Sequence, residues 1–516
     1  MANFLARYDL EQFKWKPFKG EGGQNGCVRP LGGSEHAQDI LDRHFKGDQT
    51  LFFAVIVDLH IPVSITKLSS SAQESWCWLR FQIPTVASSV NGSDHELPTL
   101  SYTTASPQEI NRWAQRTLIV HSPSHIDLDQ LRANEGQKKV PSSDGDYTWL
   151  HLVPGEIADG TVSKFGLLFH THHSPFDGVG IKIVANRYLA QLAKVLSDSH
   201  SASESIEWGN ELKNLPSAAY NILNSNESLP IPPDSLEEPS FDHEYYKSLG
   251  SVLSAFGGGM KDTYGFRARP NDTQWPKTRR AEVLFTKEES ERIQTASKIF
   301  GFTLTHLVHA ALAMVVIADN PPDLASSTHY LNNMSLVNFR GRLDSNHSLH
   351  PGYVLGVSMT RIPVSAFMSH DGSVFPLDRD RLLKVADIAK EQYRAHIELS
   401  AGLSCMPAVG EVYASNIIPA ALANMLPPNQ CYSFSSDGKG ENYLNPTFAD
   451  DTGKPVFSIA KFFTSVNRFD PGPFFRLSSW GGMIDLSADY NSNLVKTEDI
   501  TNYLNQWKRF IFLILD

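Results

Sequence analysis

The chain has 516 residues, 41% of them hydrophobic and 10% aromatic, which is enough to bury a sizeable core and excludes a disordered polymer. It carries 45 Lys and Arg side chains against 56 Asp and Glu, a net charge of -11 without long runs of either sign. Nucleic acid is therefore not an expected partner, because phosphate binding needs a concentrated basic face.

The cysteines and the apolar runs bear on the compartment. The four cysteines are far apart and include no CxxC pair, so they predict neither a zinc site nor a redox pair, and a reducing compartment fits best. The N-terminal stretch lacks a secretory apolar region, and the apolar runs at 310–318 and 510–515 fall short of the ~20 residues of a membrane span. We expect no signal peptide, no membrane partner and a cytoplasmic location.

In the first half, the run LFFAVIVDLHI at 51–61 is rich in β-branched and aromatic residues and predicts a strand. A helix is predicted over SSSAQESWCWLRFQI, residues 69–83. The apolar run KFGLLFH at 164–170 is suited to a buried strand, and IKIVANRYLAQLAKVL at 181–196 has the period of an amphipathic helix. Between the last two lies a polar loop, and loops in this position of layered α/β folds line clefts.

The one sustained shift in composition lies between about residues 199 and 276, which are rich in Ser, Asn, Pro and Gly. This stretch is predicted to cross between two halves. Its triple glycine at 257–259 lacks the Lys-Ser/Thr of a phosphate loop and is interpreted as flexible linker. We therefore divide the chain into an N-terminal lobe at 1–200, a linker at 201–276 and a C-terminal lobe at 277–516.

The second half opens with Thr286 three residues before Glu289, a pair that can form a capping box at the start of a helix. A mostly apolar helix is predicted over 303–318, where His306 and His309 are interpreted as core or crossover contacts. Near the C-terminus, Thr497 is expected to cap an amphipathic helix. Strands alternate with helices in both halves, so the predicted fold class is mixed α/β.

One segment, HTHHSPFDGVG at 170–180, carries the residues for chemistry. His173 is the candidate general base, because an unperturbed histidine pKa of ~6.5 lets a neutral ring accept a proton near pH 7. Asp177 follows four residues later, and Gly178 beside it is expected to let the loop turn sharply. We expect Asp177 to hold the loop through an arginine rather than to form a relay dyad with His173.

Other roles for the histidines are open. The imidazoles of HTHH could bind a metal, but adjacent strand residues point to opposite faces and no nearby Cys or paired carboxylate completes a site, so no metal is predicted. His170 and His172 are assigned as hydrogen-bonded core histidines. The same core role is the alternative for His173.

The segment HHSPFDG resembles the HHxxxDG motif of the CoA-dependent acyltransferase superfamily, which includes BAHD acyltransferases, nonribosomal peptide condensation domains and fungal trichothecene O-acetyltransferases. Three other segments match in order. SSSAQESWCWLRFQIPTVA is similar to the early helix of the fungal branch, SLVNFRGRLDSNHSLHPGYVLGVS to the BAHD segment with DGRSR and GYFGN, and LSSWGGMIDLSADYNSNLV to the closing strand of condensation domains. The DFGWG block of plant enzymes is absent and SSWGG stands near its place, which favours the fungal branch.

The resemblance implies two chloramphenicol-acetyltransferase-like lobes with mixed sheets and a central solvent tunnel, which donor and acceptor enter from opposite mouths. By position, the family's catalytic base corresponds to His173. Its structural carboxylate corresponds to Asp177, paired with Arg340 or Arg342 from the other half, because a partly buried carboxylate needs a charged partner. The alternative is that these two arginines lie in a turn and face solvent.

Along the implied tunnel we place His172, Ser479 and Trp480, with a buried core position as the other interpretation of Trp480. The implied function is an O-acyltransferase, specifically an O-acetyltransferase acting on a hydroxyl of a secondary metabolite, with acyl-CoA as co-substrate, no covalent intermediate and no permanently bound cofactor. The alternatives are a stand-alone condensation-type domain that uses a carrier-protein thioester and a non-catalytic binding protein of the same fold. The expected partners are acyl-CoA or an acyl-carrier protein and a small-molecule acceptor, and we expect a monomer.

Overall fold

The computed structural model describes residues 5–20, 23–93, 96–197, 206–259, 262–267, 274–423 and 431–516. Within these residues the α-helices are α1 Ser34–His44, α2 Ile65–Gln82, α3 Pro107–Thr117, α4 Leu128–Glu135, α5 Gly178–Leu196, α6 Glu244–Gly259, α7 Lys287–Ile299, α8 Leu304–Asp319, α9 Arg379–Ile397, α10 Met406–Leu422 and α11 Thr497–Phe512. The strands are β1 Lys16–Lys19, β2 Asn25–Pro30, β3 Leu51–Val63, β4 Ser89–Asn91, β5 Thr99–Thr103, β6 Leu118–Val120, β7 Thr148–Pro154, β8 Ile157–Ala158, β9 Thr161–Thr171, β10 Thr263–Tyr264, β11 Thr278–Leu284, β12 Tyr330–Asn338, β13 Leu355–Pro363, β14 Ser433–Lys439, β15 Thr447–Ala449, β16 Pro455–Val466, β17 Phe474–Trp480 and β18 Met483–Asn491.

A seven-stranded sheet carries the motif segment. Its strand order is β15-β16-β3-β9-β7-β6, with β8 paired to β9 outside this path. β9 lies inside the sheet, antiparallel to β3 on one side and to β7 on the other. Every residue of β9 from Phe165 onward is buried, because both faces of the sheet are covered at this point. This burial explains the continuous apolar run in the sequence.

Two strands of this sheet come from far along the chain. β16 pairs with β3, with Ile459 opposite Val57, and β15 continues the sheet beyond β16. By chain position both belong to the predicted C-terminal lobe, yet they extend the sheet that holds the motif. The boundaries of the lobes stay a prediction.

Three smaller sheets have the orders β1-β2-β5-β4, β10-β12-β13 and β11-β18-β17-β14. The pairs β6/β7, β10/β12 and β14/β17 are parallel, and they stand beside antiparallel neighbours. Helices and mixed sheets alternate along the described chain. The prediction of a mixed α/β fold class is therefore confirmed.

Apolar cores lie on both sides of the seven-stranded sheet and around α8. The largest cluster against the sheet fills the space between it and helices α2 and α5, where Trp76 stacks on Trp113 with ring centroids 5.2 Å apart. The opposite face of the sheet carries a smaller cluster that includes Phe52 and Leu128. Around α8 and α11, Trp507 donates its ring N–H to the carbonyl oxygen of Val308 at 2.7 Å.

The predicted strands and helices are present, with shifted ends. The strands predicted at 51–61 and 164–170 are β3 and β9, and the helices predicted at 69–83, 181–196 and 303–318 are α2, α5 and α8. α2 begins earlier because the Ser64 hydroxyl accepts a hydrogen bond from the backbone N–H of Lys67. The capping box of Thr286 and Glu289 is confirmed at the start of α7. His309 is a buried core contact, as expected, with the hydroxyls of Tyr432 and Tyr393 on its ring nitrogens at 2.8 and 3.1 Å.

Two local expectations were wrong. Thr497 is the first residue of α11 rather than its cap, and its hydroxyl accepts a hydrogen bond from Tyr490 at 2.8 Å. The glycines at 257–259 form the last turn of α6, whose Tyr245 and Leu249 pack into an apolar cluster with Leu403. Burial of this face outweighs the low helix propensity of glycine. Residues 201–205, 260–261 and 268–273 of the predicted linker lie outside the described residues.

Among the helices of the described ranges, no single one is both long and apolar enough to cross a membrane. α7 and α8 reach that length and composition only together, and they meet at a bend of 100°.

Candidate active site

The motif loop, defined here as residues 172–177, connects the end of β9 to the start of α5. Every residue of the loop is buried. The Ser174 hydroxyl donates a hydrogen bond to the carbonyl oxygen of Glu35 in α1 at 2.7 Å, and Phe176 is part of the core between the sheet and α5. The loop is thus held between a central strand, a long helix and α1.

His173 has one ring nitrogen engaged and the other free. Its Nδ1 lies 2.8 Å from the carbonyl oxygen of Phe176. A carbonyl can only accept, so Nδ1 carries the hydrogen and Nε2 of the neutral ring carries a lone pair. Among the described residues Nε2 has no hydrogen-bond partner. The residue is 9% exposed, and the centroid of the Tyr353 ring lies 5.6 Å from that of the His173 ring. The arrangement leaves a proton-accepting atom available to a small molecule.

The surroundings of His173 keep its ring neutral. Burial lowers the pKa of His173 to about 4 and Arg476 also lowers it, whereas the Phe176 carbonyl and Asp177 raise it. At pH 7 the imidazole is therefore uncharged, which is the form that can take a proton from a hydroxyl group.

Asp177 is the N-cap of α5, and its carboxylate is saturated with donors. Oδ1 accepts from the backbone N–H groups of Val179 and Gly180 at 3.0 and 2.6 Å. The two oxygens also form a bidentate pair with Arg340, at 2.9 and 3.0 Å, and Oδ2 accepts from the N–H of Val354 at 2.8 Å. The carboxylate joins the motif loop to the segment around 340–354 and does not contact the His173 ring nitrogens.

Arg340 is itself held on all sides. Its remaining donors reach the carbonyl oxygens of His350 and Gly352 at 3.0 and 2.8 Å and the side chain of Asn338 at 3.2 Å. Arg342 lies elsewhere: it donates to the carbonyl oxygens of Asn226, Ile397 and Leu399 and lies 3.5 Å from Glu227. Of the two arginines proposed from the sequence, Arg340 pairs with Asp177. Arg342 instead joins the end of α9 to the segment around Asn226.

The glycine that the site requires is Gly180 rather than Gly178. The backbone of Gly178 is outside the left-handed region, and a Cβ added there would meet nothing within 4 Å. The expected sharp turn therefore does not depend on Gly178. A Cβ on Gly180 would stand 2.1 Å from the carbonyl oxygen of Pro351, so only glycine allows the first turn of α5 to approach the 350–354 segment this closely.

The residues placed along the implied tunnel lie in different surroundings. His172 is buried beside Tyr147, and its Nε2 lies 3.6 Å from a carboxylate oxygen of Asp42. Trp480 packs at the edge of the core cluster of the seven-stranded sheet, 5.4 Å from the Phe462 ring, and donates to the carbonyl oxygen of Ile459 at 3.3 Å. Ser479 lies next to it at the end of β17. Trp480 is half-buried, and its place along a tunnel stays a prediction.

Helix α1 makes contacts at the site that were not predicted from the sequence. Gln38 donates to the Tyr353 hydroxyl at 3.0 Å and so fixes the ring that faces His173. Glu35, which anchors the motif loop through its carbonyl, forms a buried bidentate pair with Arg29 at 2.6 and 2.7 Å. The signal in the sequence was the glycine pair before α1, because Gly33 has a φ of 53° and a Cβ there would clash with Met406 and the Tyr220 hydroxyl.

A buried set of four charges lies on the side of the site formed by the second half of the chain. Arg476 lies 3.6 Å from Asp437 and 3.4 Å from Asp489, and Lys182 of α5 lies 3.4 Å from Asp437. Two cations and two carboxylates balance, which is the usual condition for burying charge. These contacts join α5 to β14, β17 and β18.

Comparisons with known proteins agree with this architecture. The family model described as 15-O-acetyltransferase Tri3 matches residues 12–358. Trichothecene O-acetyltransferase TRI3 of Trichoderma arundinaceum is 22% identical to this chain over 508 residues, covering 93% of each chain. The putative 15-O-acetyltransferase SAT12 of Stachybotrys chartarum is 21% identical over 547 residues, covering 97% of this chain and 91% of its own.

Solved structures show the same fold. The TRI3 trichothecene 15-O-acetyltransferase of Fusarium sporotrichioides superposes with a TM-score of 0.84 at 20% identity, covering 99% of this chain and 100% of its own. The first condensation domain of the calcium-dependent antibiotic synthetase superposes with a TM-score of 0.59 at 13% identity, covering 94% and 95%. The expected acyltransferase-like fold is confirmed by these superpositions, whereas the central tunnel stays a prediction.

Proposed function

The chain belongs to the 15-O-acetyltransferase Tri3 family, and we propose that it transfers an acetyl group from acetyl-CoA to a hydroxyl group of a trichothecene-type secondary metabolite, with His173 as the general base. Family membership makes the protein an acyltransferase. The names of both sequence relatives, each aligned over nine-tenths of this chain, support acetyl as the group and a hydroxyl as the acceptor.

The hydrogen bond from His173 Nδ1 to the Phe176 carbonyl is the observation that carries the assignment of the base. It fixes the tautomer and the ring orientation, and it leaves the Nε2 lone pair without a partner among the described residues. A hydroxyl that donates to Nε2 would have its oxygen held beside the donor thioester. Positioned proton transfer of this kind contributes about 10²–10⁴-fold to rate.

The proposed reaction needs one base and no covalent enzyme intermediate. Nε2 takes the proton of the acceptor hydroxyl as its oxygen attacks the thioester carbonyl carbon. The tetrahedral intermediate then expels the CoA sulfur as the C–S bond breaks, and the imidazolium returns the proton to the thiolate. Donor and acceptor held together make this an effectively intramolecular step.

Asp177 and Arg340 act as positioning residues in this proposal. Their bidentate pair, with the N-cap of α5, fixes the backbone of the motif loop on which His173 stands. Because the donors of Arg340 and of the backbone take up both carboxylate oxygens, Asp177 is not placed to accept a proton from the histidine.

The experiment combines the purified protein, acetyl-CoA and a panel of trichothecene alcohols, with product mass and free CoA thiol as readouts. We expect His173→Ala to lower kcat/KM by roughly 10²–10⁴-fold while the far-UV circular dichroism stays unchanged. His60→Ala, at an exposed histidine of the same sheet, is the matched control and should behave as wild type. A His173→Ala variant that retains wild-type kcat/KM would remove the base assignment.

The donor is tested separately. Acetyl-CoA and an acetylated carrier protein are offered at equal concentration with the same acceptor. Faster transfer from acetyl-CoA supports the proposal, and faster transfer from the carrier protein would favour the condensation-type alternative. CoA enters as a co-substrate in this scheme and leaves as free thiol.

A further inference from the structure

Three side chains with metal-binding atoms meet on the side of the seven-stranded sheet that faces α4. Glu135 is the last residue of α4, His151 lies in β7 and His170 lies in β9. One carboxylate oxygen and one nitrogen from each imidazole all lie within 4.8 Å of one another. The exposed fractions of the three residues are 7%, 2% and 2%.

Strand pairing explains why the two histidines share a face. His170 is directly opposite Trp149 in the antiparallel pair of β9 and β7, and His151 stands two residues beyond Trp149. Residues two apart in a strand point to the same side, so both imidazoles face α4. The carboxylate at the end of α4 then closes the third side, with Oε2 of Glu135 3.6 Å from Nε2 of His151.

Two ring nitrogens of this group have no hydrogen-bond partner among the described residues. Nε2 of His151 and Nε2 of His170 are buried and make no hydrogen bond to any described residue. Buried polar atoms in folded proteins are nearly always satisfied, so two such atoms beside a carboxylate indicate a ligand. Burial lowers the pKa of His151 to about 3 and that of His170 well below its usual value, and the neutral ring is the form that binds a metal.

A further histidine orients one of these rings. Nε2 of His121, which follows β6, lies 3.2 Å from Nδ1 of His151. When Nδ1 of His151 donates in this pair, Nε2 carries the lone pair and faces Glu135. Metal-binding histidines are commonly held in this way by a hydrogen bond to the other nitrogen.

The charges around the group set the terms of binding. Lys138 lies 2.7 Å from Oε2 of Glu135, and its side chain is 64% exposed, so it can turn to solvent and leave the carboxylate to a cation. Arg132 is the other nearby cation; its guanidinium donates to Ser465, Thr278 and Asn467. Lys138 therefore competes directly with a metal, whereas Arg132 is committed elsewhere.

We propose that Glu135, His151 and His170 bind a divalent first-row transition metal, with zinc as the expected ion. Two imidazoles and one carboxylate form a ligand set that zinc accepts, at about 2.0–2.2 Å from each atom. The ion would join α4 to β7 and β9. Its ligand His170 precedes the proposed base, His173, by three residues in the chain. From the sequence no metal was predicted and His170 was assigned a core role; this site shares only His170 with the HTHH cluster.

The test is equilibrium dialysis of tag-free, EDTA-treated full-length protein against ZnCl2, with zinc measured by mass spectrometry. We expect one zinc per wild-type chain, and Glu135→Gln and His151→Gln to bind about tenfold more weakly or worse. Lys138→Ala removes only the competing ammonium and should bind more tightly than wild type. Glu411→Gln, an acid whose partner is the Tyr8 hydroxyl, is the matched control and should bind as wild type.

Two further readouts keep the result independent of folding and of acetyl transfer. Zinc should raise the melting temperature of wild type and of Lys138→Ala but not of Glu135→Gln. Cobalt should give a visible d–d absorption band that His151→Gln loses. Less than one-tenth equivalent of zinc on wild type, equal binding by wild type and Glu135→Gln, or weaker binding by Lys138→Ala would each overturn the proposal.

Discussion

Replacing Asp177 with asparagine separates a positioning role from a direct part in proton transfer. The carboxylate accepts two hydrogen bonds from Arg340, one from Val354 and two from the first turn of α5. Asparagine keeps one oxygen and caps a helix as well as aspartate, so the α5 contacts can survive. Its NH2 group would meet two donors, Nη1 of Arg340 and the N–H of Val354, in place of Oδ2.

The expected cost follows from what Asp177→Asn leaves buried. Arg340 is 4% exposed and would lose its counter-charge, and breaking one partner of a buried pair costs about 3–5 kcal/mol. Since Arg340 keeps acceptors on His350, Gly352 and Asn338, we expect the lower end, about 3 kcal/mol. Domains are stable by about 5–15 kcal/mol, so the variant folds but with a large loss.

The assay is urea unfolding followed by tryptophan fluorescence, run beside kcat/KM at several pH values. We expect Asp177→Asn to lose stability and activity together. The acid limb of the pH profile should move to lower pH, because the Asp177 carboxylate raises the pKa of His173. Asp378→Asn makes the same change at the exposed N-cap of α9 and should alter stability by less than about 0.5 kcal/mol. A variant of full stability whose activity is lost would refute the positioning role.

Three other outcomes are expected. Gly180→Ala should destabilise the protein by about 1–3 kcal/mol or more, the usual cost of overpacking, because its Cβ would stand 2.1 Å from the Pro351 carbonyl oxygen. Gly178→Ala is the control and should melt as wild type, and equal melting of the two variants would contradict the contact. Because burial lowers the pKa of His173 to about 4, kcat/KM should stay constant below pH 6 and fall only as the pH approaches 4. The neutral ring's contribution to stability is complete above an unfolded pKa of ~6.5 and is lost as the pH falls through about 4. An acid limb at about pH 6.5 would contradict the neutral buried ring. Gly257→Ala, in the last turns of α6 with open space at its Cβ, should stabilise by roughly 0.5–1 kcal/mol in thermal unfolding, whereas a flexible linker there would give no change.

Periodicity predicted the elements around the site because each has one dominant environment. β3 and β9 are buried through most of their length and α5 has an apolar face against the sheet, so the letters alone carry the pattern. The ends were harder to place. The sequence predicted Asp177 in a sharp turn with Gly178. In the structure Asp177 is the N-cap of α5, because its carboxylate accepts hydrogen bonds from the backbone N–H groups of the first turn.

The chemistry of the motif pointed to His173, but its partners depend on contacts distant in sequence. Arg340 and Arg342 stand two residues apart in one short turn, and only the path of the following 350–354 segment decides which of them meets Asp177. The need for glycine at Gly180 comes from Pro351, which no local pattern reveals. The triad of Glu135, His151 and His170 was also hidden, because its members come from a helix and two strands of different sequence context.

The position of β16 has a consequence for biosynthesis. Its ladder with β3, in which Ile459 stands opposite Val57, cannot form until most of the polypeptide has left the ribosome. During elongation the outer edge of β3 therefore stays open as a template for wrong pairing. Contacts between such remote segments also slow folding, so this sheet is completed only when translation is nearly finished.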